Sequence, residues 1–272
     1  MDWIIALKYL LLGFVQGLAE ILPISSSGHL ALLQYLLNVN TDQEALFAIF
    51  VHFASLLALS IFFFKTIVSI IKGFFISIFK QDPRYKNEFW MGIYIVVASI
   101  PAALIGFLLE DLVAGLFGDL LFVGIGFLVT ATILFLWPLI GNNQDETVSW
   151  KHVLTAGLFQ AIGILPGVSR SGITITGAKL SGLKEEPAKK FAFLLFIPIA
   201  LGSFVLSLGD ISLIVDTETS FLVYFSLAMV AAFIFTYLAL LFIFKKFHYS
   251  QAKYFAIYLV AIGTLTIILS FI

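Results

Sequence analysis

Cysteine is absent from this 272-residue sequence, and charged residues make up only 11% of it. The lack of cysteine excludes disulfide bonds, thiolate metal sites and a cysteine nucleophile. Soluble domains carry about 25% charged residues, so the low charge content argues against a water-soluble protein. Fifteen basic and sixteen acidic side chains leave a net charge of −1, which gives no sign of a nucleic-acid partner. A basic segment before the first apolar run is also lacking, so we expect no cleaved signal peptide.

Hydrophobic residues, by contrast, make up 61% of the sequence, and its mean hydropathy is +1.09. A single fold of this size cannot hide so much apolar surface from water. A helix that crosses a bilayer needs about 20 mainly apolar residues. We therefore predict one all-α, polytopic membrane domain over 1–272. Six segments are predicted to be transmembrane helices: roughly 46–64, 90–109, 120–140, 189–208, 221–244 and 254–271.

The charges between these spans alternate in sign along the chain. Basic residues dominate 65–88, 179–190 and 245–253, whereas 110–119 and 210–218 are acidic. Because basic loops are retained in the cytoplasm, the sequence predicts the basic segments inside and the acidic ones outside.

Two further apolar stretches, 4–37 and 152–178, are interrupted by Pro, Gly and Ser. Such interruptions predict broken, re-entrant helices, whose backbone must be satisfied by protein or by a water-filled cavity. At a constant offset of 144 residues the two stretches share glycine, glutamine and serine, in the pairs Gly13–Gly157, Gln16–Gln160, Ser25–Ser169, Ser27–Ser171 and Gly28–Gly172. Three spans follow each stretch, so we predict two inverted repeats, about 1–140 and 150–272, with a site near the midplane.

Two ionisable residues, Glu20 and Arg170, lie inside the interrupted stretches instead of in a loop. A charge within the membrane is costly and is a functional hypothesis by default. The structural alternative is an ion pair that joins the two halves.

The residues around Arg170 have the composition of a phosphate-binding site. A helix that begins after a Pro-Gly break presents free N–H groups to an anion, and a guanidinium matches phosphate oxygens in pairs. The alternative is a hydroxyl-rich helix cap. The candidate phosphate-binding residues are Gly167, Ser169, Arg170, Ser171 and Thr174.

The residues around Glu20 supply the groups of acid–base and nucleophilic chemistry. Gln16 and Glu20 share a helical face, and His29 follows the break together with three serines, Ser25, Ser26 and Ser27. The remaining histidines are interpreted as structural or surface residues: His52, His152 and His248.

Both motifs resemble those of the bacterial undecaprenyl-diphosphate phosphatases of the bacitracin-resistance type. Their [E/Q]xxxE and PxSSxGH motifs are matched by Gln16, Glu20 and 23–29, and their PGxSRSxxT motif is matched by 166–174. Gln16 stands where many members have Glu, which removes one carboxylate. The resemblance covers essentially the whole chain and implies six spanning helices with two pairs of re-entrant half-helices.

The resemblance implies hydrolysis of undecaprenyl diphosphate to undecaprenyl phosphate, the lipid carrier for cell-wall synthesis, at a site open to the external face of the bacterial plasma membrane. It also implies a divalent cation, Mg²⁺ or Ca²⁺, for which only Glu20 offers a carboxylate. Ser26 is favoured as nucleophile, with His29 as base or as acid for the leaving group. Two other mechanisms stay open: a phospho-histidine at His29 and direct attack by water. Glu20 is expected to act either as the base or as the ligand of the cation. Phosphate contacts by Gln16, Ser25 and Ser27 are also expected, and whether the protein forms a homodimer stays open.

The alternative from another class is a polyprenyl-phosphate flippase or other secondary transporter, because inverted repeats with broken helices are typical of carriers. A carrier does not need Glu, His and Ser opposite a phosphate-binding site, and a structural scaffold explains neither Glu20 nor Arg170.

Overall fold

A computed structural model of the protein describes residues 2–39, 44–141, 144–207 and 219–272. This part of the chain forms twelve α-helices and no β-strand. In chain order the helices are α1 (Trp3–Ile21), α2 (Ser26–Leu37), α3 (Glu44–Phe62), α4 (Phe64–Lys80), α5 (Lys86–Leu108), α6 (Glu110–Phe117), α7 (Leu120–Leu136), α8 (Trp150–Ile162), α9 (Arg170–Leu180), α10 (Glu185–Ser207), α11 (Thr219–Lys245) and α12 (Ala252–Leu269).

Six helical stretches in the described residues are long and apolar enough to cross a membrane, which confirms the all-α polytopic class. Five of them match predicted spans. The sixth is α1, which we predicted as half of a re-entrant pair and which is long enough to cross by itself. The six are Trp3–Ile21, Pro83–Leu108, Leu120–Leu139, Glu185–Leu206, Leu222–Lys245 and Tyr249–Leu269.

The predicted span 46–64 corresponds to α3, which continues into α4 through a bend of 76°. The basic segment 65–88, predicted as a loop, is therefore largely helical, because its lysines recur at helical spacing among apolar residues. Part of the acidic turn 110–119 is likewise helical, in α6. The acidic residues of 210–218 lie outside the described residues.

Both interrupted stretches break where the sequence predicts. The first break separates α1 from α2 at 22–25, and the second separates α8 from α9 at 163–169. The two breaks touch: a Cβ on Gly28 would lie 2.9 Å from the Cα of Gly167. Gly167 has a φ of +76°, a conformation that glycine adopts without steric cost.

Close helix packing holds each break in place. A Cβ on Gly13 would lie 2.2 Å from the carbonyl oxygen of Ala228, and one on Gly17 would lie 2.5 Å from that of Ala232. Small residues four apart allow α1 and α11 to approach closely, as is common between membrane helices.

The second break is held by the same device. A Cβ on Gly157 would lie 2.6 Å from the carbonyl oxygen of Ala98, so α8 packs on α5 as α1 packs on α11. Each broken helix thus contacts a spanning helix of the other half, an exchange that a repeat architecture predicts. The inverted orientation of the halves stays a prediction.

The substitution Gly13→Leu is expected to lower thermal stability, because its side chain cannot fit between α1 and α11. Overpacking of this kind costs about 1–3 kcal/mol, which corresponds to roughly 2–6 °C for a chain of this size. Thermal unfolding in detergent measures it. Gly202→Leu is the matched control, since nothing lies within 4 Å of its added Cβ. Equal stability of both variants would contradict the packing argument.

Candidate active site at the two helix breaks

Serine caps the helix that follows each break. The Oγ of Ser25 accepts a hydrogen bond from the backbone N–H of Gly28 (3.3 Å), and the Oγ of Ser169 accepts one from Gly172 (3.1 Å). Ser25 adopts a φ of +70°, which is unusual for a non-glycine residue. Since the two breaks touch, the positive N-terminal ends of α2 and α9 converge, and two such ends favour an anion between them.

Glu20 lies at this junction with its carboxylate almost fully buried. Its Oε2 accepts hydrogen bonds from the Nε2 of Gln16 (2.8 Å) and from the Oγ of Ser26 (2.7 Å). Its Oε1 lies 3.5 Å from the Nη2 of Arg170. The structure therefore brings together four of the residues predicted from sequence: Gln16 and Glu20 from before the first break, Ser26 from after it, and Arg170 from the second break.

His52 also reaches Glu20, although the sequence analysis interpreted it as structural or surface. Its Nε2 lies 3.4 Å from the Oε2 of Glu20, and its Nδ1 is bonded to the carbonyl oxygen of Ala48 at 2.8 Å. Because a carbonyl only accepts, Nδ1 carries a proton. The signal available in the sequence was a single histidine within an apolar span, and nothing in the sequence aligned α3 with the break.

Arg170 has unused hydrogen-bonding capacity. Its guanidinium carbon lies 4.5 Å from the ring centroid of Phe196, a cation–π contact that sequence reasoning missed. Its Nη1 is buried and has no hydrogen-bond partner among the described residues. Since buried donors are almost always paired, this nitrogen indicates a ligand or water at the site.

The remaining predicted hydroxyls line the same region. Ser171 Oγ lies 3.2 Å from Ser169 Oγ and donates to the carbonyl oxygen of Leu22 across the junction (3.4 Å). Thr174 Oγ1 donates to the carbonyl oxygen of Arg170 (2.7 Å). On the other side, Ser25 and Ser27 lie 3.5 Å apart.

Thr130 of α7, which the sequence analysis did not single out, holds the second break. Its Oγ1 donates to the carbonyl oxygens of Gly126 (3.0 Å) and Gly167 (3.2 Å) and accepts from the N–H of Ser169 (3.0 Å). The bonds to Gly167 and Ser169 satisfy backbone groups that the break leaves without helical partners.

His29 is buried beside the first break, but its ring nitrogens are bonded away from Ser26. Nδ1 is 2.8 Å from the carbonyl oxygen of Ser25, and Nε2 is 2.7 Å from the hydroxyl of Tyr258. The His29 ring also stacks on Tyr258, with centroids 5.6 Å apart. In this conformation Glu20, and not His29, is the hydrogen-bond acceptor for Ser26.

The donor set at the junction does not fit a divalent cation held by the protein alone. No group of three or more His, Asp or Glu side chains suited to a metal occurs in the described ranges. Glu20 is a single carboxylate, and N–H or O–H donors together with a guanidinium already surround its two oxygens. Mg²⁺ prefers one or two carboxylates together with phosphate oxygens and water.

Glu20, Arg170, Ser171 and Thr174 border a small cavity against α10, together with Phe196. About 10 Å³ of it is open to the centre of a water molecule, which is room for about one water. A larger ligand therefore requires these side chains to move apart.

An apolar groove of about 300 Å³ lies next to the junction, between α1 and α11. Leu22 belongs to both the groove and the junction. It lines the groove, and its carbonyl oxygen accepts the hydrogen bond from the Oγ of Ser171. The groove is lined by Leu18, Leu22, Phe235, Leu238, Ala239 and Phe242.

Comparison with known proteins gives one consistent result. The family model described as "Bacitracin resistance protein BacA" matches residues 9–265. The chain is 40% identical over 263 residues to "Undecaprenyl-diphosphatase 2" of Bacillus thuringiensis. This alignment covers 96% of this chain and 97% of that protein. It is 36% identical to "Undecaprenyl-diphosphatase" of Oceanobacillus iheyensis, over 96% of this chain and 95% of that protein.

A relative from Methanosphaera stadtmanae, also named "Undecaprenyl-diphosphatase", is 36% identical over 275 residues, which covers 97% of this chain and 98% of that protein. The family model and these relatives each match nearly the whole length of the chain. Both findings agree with the family resemblance of the two motifs at the breaks. The chain belongs to the bacitracin resistance protein BacA family.

Proposed function

We infer that this protein is an integral membrane phosphatase that hydrolyses undecaprenyl diphosphate to undecaprenyl phosphate and inorganic phosphate. The observation that carries the chemistry is the unpartnered Nη1 of Arg170, at a junction where two helix N-termini converge. A phosphate oxygen supplies the missing acceptor. The transporter alternative is not favoured, since the relatives are named as diphosphatases in several taxa.

Arg170 binds the terminal phosphate and stabilises the charge that develops on it, because preorganised donors in a dry site act strongly on such charge. Ser169, Ser171, Thr174 and the N–H groups at the start of α9 complete the contacts, and Gly167 allows the chain to approach closely. On the side of the first break, the phosphate is contacted by Gln16, Ser25 and Ser27. Substrate binding draws Arg170 from its 3.5 Å contact with Glu20.

Ser26 attacks the terminal phosphorus, and Glu20 accepts its proton through the 2.7 Å hydrogen bond. The bond from phosphorus to the bridging oxygen breaks, and undecaprenyl phosphate leaves with the proton that Glu20 took from Ser26. Water then attacks the phosphoserine, Glu20 accepts a proton from that water, and the Ser26 oxygen takes this proton back as the bond to phosphorus breaks and inorganic phosphate leaves. His29 shapes the start of α2 through its bond to Ser25, and this geometry supports Glu20 over His29 as the base.

The polyprenyl tail stays in lipid while the diphosphate reaches the junction. The apolar groove between α1 and α11 suits the part of the tail nearest the head, since Leu22 contributes to both. The resemblance of both motifs to the family supports a site that opens to the external face of the bacterial plasma membrane. The product serves as lipid carrier for cell-wall synthesis, in keeping with the bacitracin resistance in the family's description.

A divalent cation, Mg²⁺ or Ca²⁺, enters the site bound to the diphosphate and not to a set of protein ligands. The single carboxylate at Glu20 supports this assignment, and the proton transfer assigned to Glu20 does not pass through the cation.

Substitution Arg170→Ala is expected to lower kcat about 10²–10³-fold, the usual effect of losing one donor to developing charge. Phosphate release from a C55 polyprenyl diphosphate by purified protein measures it. Arg84→Ala is the matched control: it removes the only other arginine of the sequence, which is exposed and paired with Asp82 at 2.7 Å.

Arg170→Lys keeps the buried charge opposite Glu20, so it separates loss of activity from loss of folding. It should fold as the wild type and recover only part of the rate, since lysine lacks the planar fork. Full activity in Arg170→Ala would overturn the proposed site.

Substitutions Ser26→Ala and Glu20→Gln are each expected to lower kcat by at least about 10³-fold, and the double variant should be little worse, because residues that act as a unit are not additive. Steady-state and rapid-quench kinetics with ³²P-labelled substrate measure this. Acid-stable label on Ser26 of the wild type is expected during turnover. Ser69→Ala, at an exposed hydroxyl on α4, is the control. Activity within tenfold of wild type in Ser26→Ala would exclude Ser26 as nucleophile.

Turnover should depend on a divalent cation because the cation is bound to the substrate, and the substrate-free protein should bind none tightly. We expect EDTA to reduce turnover, with added Mg²⁺ or Ca²⁺ restoring it, while calorimetric titration of substrate-free protein detects no binding below millimolar concentrations. Glu20→Gln should stay inactive at every cation concentration. Tight binding by substrate-free protein that Glu20→Gln abolishes would show instead that Glu20 holds a resident ion.

A further inference from the structure

Helix α4 has a packed face that fixes its rotation. Gly73 allows close contact with α5, since a Cβ there would lie 2.4 Å from the Cβ of Glu88. The rings of Phe74 and Phe89 stack with centroids 5.4 Å apart. These contacts determine which other residues of α4 point away from the protein.

A second face of α4 is apolar and exposed. Its residues recur at intervals of three and four, so they form one continuous stripe along the helix. None of them is covered by the described part of the chain. The stripe consists of Phe64, Val68, Ile71, Phe75, Ile78 and Phe79.

A third face carries Lys65 and Lys72, with Ser69 between them on the same side of the helix. All three are exposed. Neither lysine forms an ion pair or side-chain hydrogen bond within the described residues. Other basic side chains do find partners: Arg84 pairs with Asp82 at 2.7 Å and Lys184 with Glu146 at 2.6 Å. The two positive charges on α4 are therefore available to an external anion.

The direction of α4 places these faces relative to the bilayer. α4 bends by 76° from the end of α3 and packs on the first turns of α5. Because α3 and α5 are both predicted spans, α4 connects them at the membrane face that the charge pattern predicts to be cytoplasmic. In that position the apolar stripe reaches the acyl chains while lysines beside it lie at headgroup level, the arrangement of interfacial helices.

We propose that α4 is an interfacial helix whose two exposed lysines, Lys65 and Lys72, bind the phosphate groups of anionic phospholipids. Complementary charge and the apolar stripe beside it favour a lipid over a protein partner, because one lipid supplies both the anion and the acyl chain. This site is separate from the helix breaks and does not depend on the proposed phosphatase activity.

The absence of cysteine from the sequence allows one fluorophore to be placed at Ser69→Cys in the full-length chain. The protein is reconstituted in phosphatidylcholine vesicles that contain a trace of spin-labelled phosphatidylglycerol or spin-labelled phosphatidylcholine, and quenching gives the relative association of each lipid. We expect at least about fivefold preference for phosphatidylglycerol, which corresponds to one lysine near a membrane surface. Half-molar salt should weaken it.

The double variant Lys65→Gln/Lys72→Gln is expected to reduce this preference below about twofold. The matched control, Lys245→Gln/Lys246→Gln, removes the same charge from two exposed lysines at the end of α11 and should keep it. Absence of preference in the wild type, or equal loss in both double variants, would overturn the proposal. Quenching that instead varies with the protein-to-lipid ratio would assign α4 to contact with a second copy and would also overturn it.

Discussion

The hydrocarbon interior offers no hydrogen-bond partner to backbone, so every polar group that a broken helix exposes must be satisfied by the protein itself. This constraint explains the polar residues around the two breaks. Ser25 and Ser169 each bond a backbone N–H of the helix that follows, and Thr130 bonds two backbone groups at the second break. Backbone that is irregular at these depths therefore becomes a fixed arrangement of dipoles, which can serve an anionic substrate.

The same constraint governs the buried charge of Glu20. Gln16, Ser26, Arg170 and His52 together surround its two oxygens. Removing one partner of a buried ion pair commonly costs about 3–5 kcal/mol, so these residues are coupled in stability as well as in chemistry. The weakest geometry in the set is the 3.5 Å contact with Arg170, which is the contact that a phosphate replaces most easily.

Helix packing makes the junction possible. Glycines at 13 and 17 allow α1 to lie directly against α11, and Gly157 does the same for α8 on α5. Backbone in close contact leaves little freedom to the ends of α1 and α8, where the breaks begin. The rigid spanning helices thus position the short helices α2 and α9, whose N-termini meet.

The sequence by itself determined the helical class and the position of both breaks. It also determined six motif residues that lie at the junction: Gln16, Glu20, Ser26, Arg170, Ser171 and Thr174. These were predictable because apolar length, breaker residues and isolated charges are local properties. The same local view misassigned 65–88 as a loop, because α4 alternates lysines with apolar residues and resembles a charged connection when only composition is counted.

Only the tertiary structure decided which distant side chains complete the site. His52 reaches Glu20 from α3, Phe196 covers Arg170 from α10, and Thr130 holds the second break from α7. It also turned His29 toward Tyr258 and away from Ser26. Periodicity specifies the face of a helix but not the rotation and depth at which two helices pack. Contacts between residues far apart in the chain follow from that packing, and no local pattern in the sequence contains it.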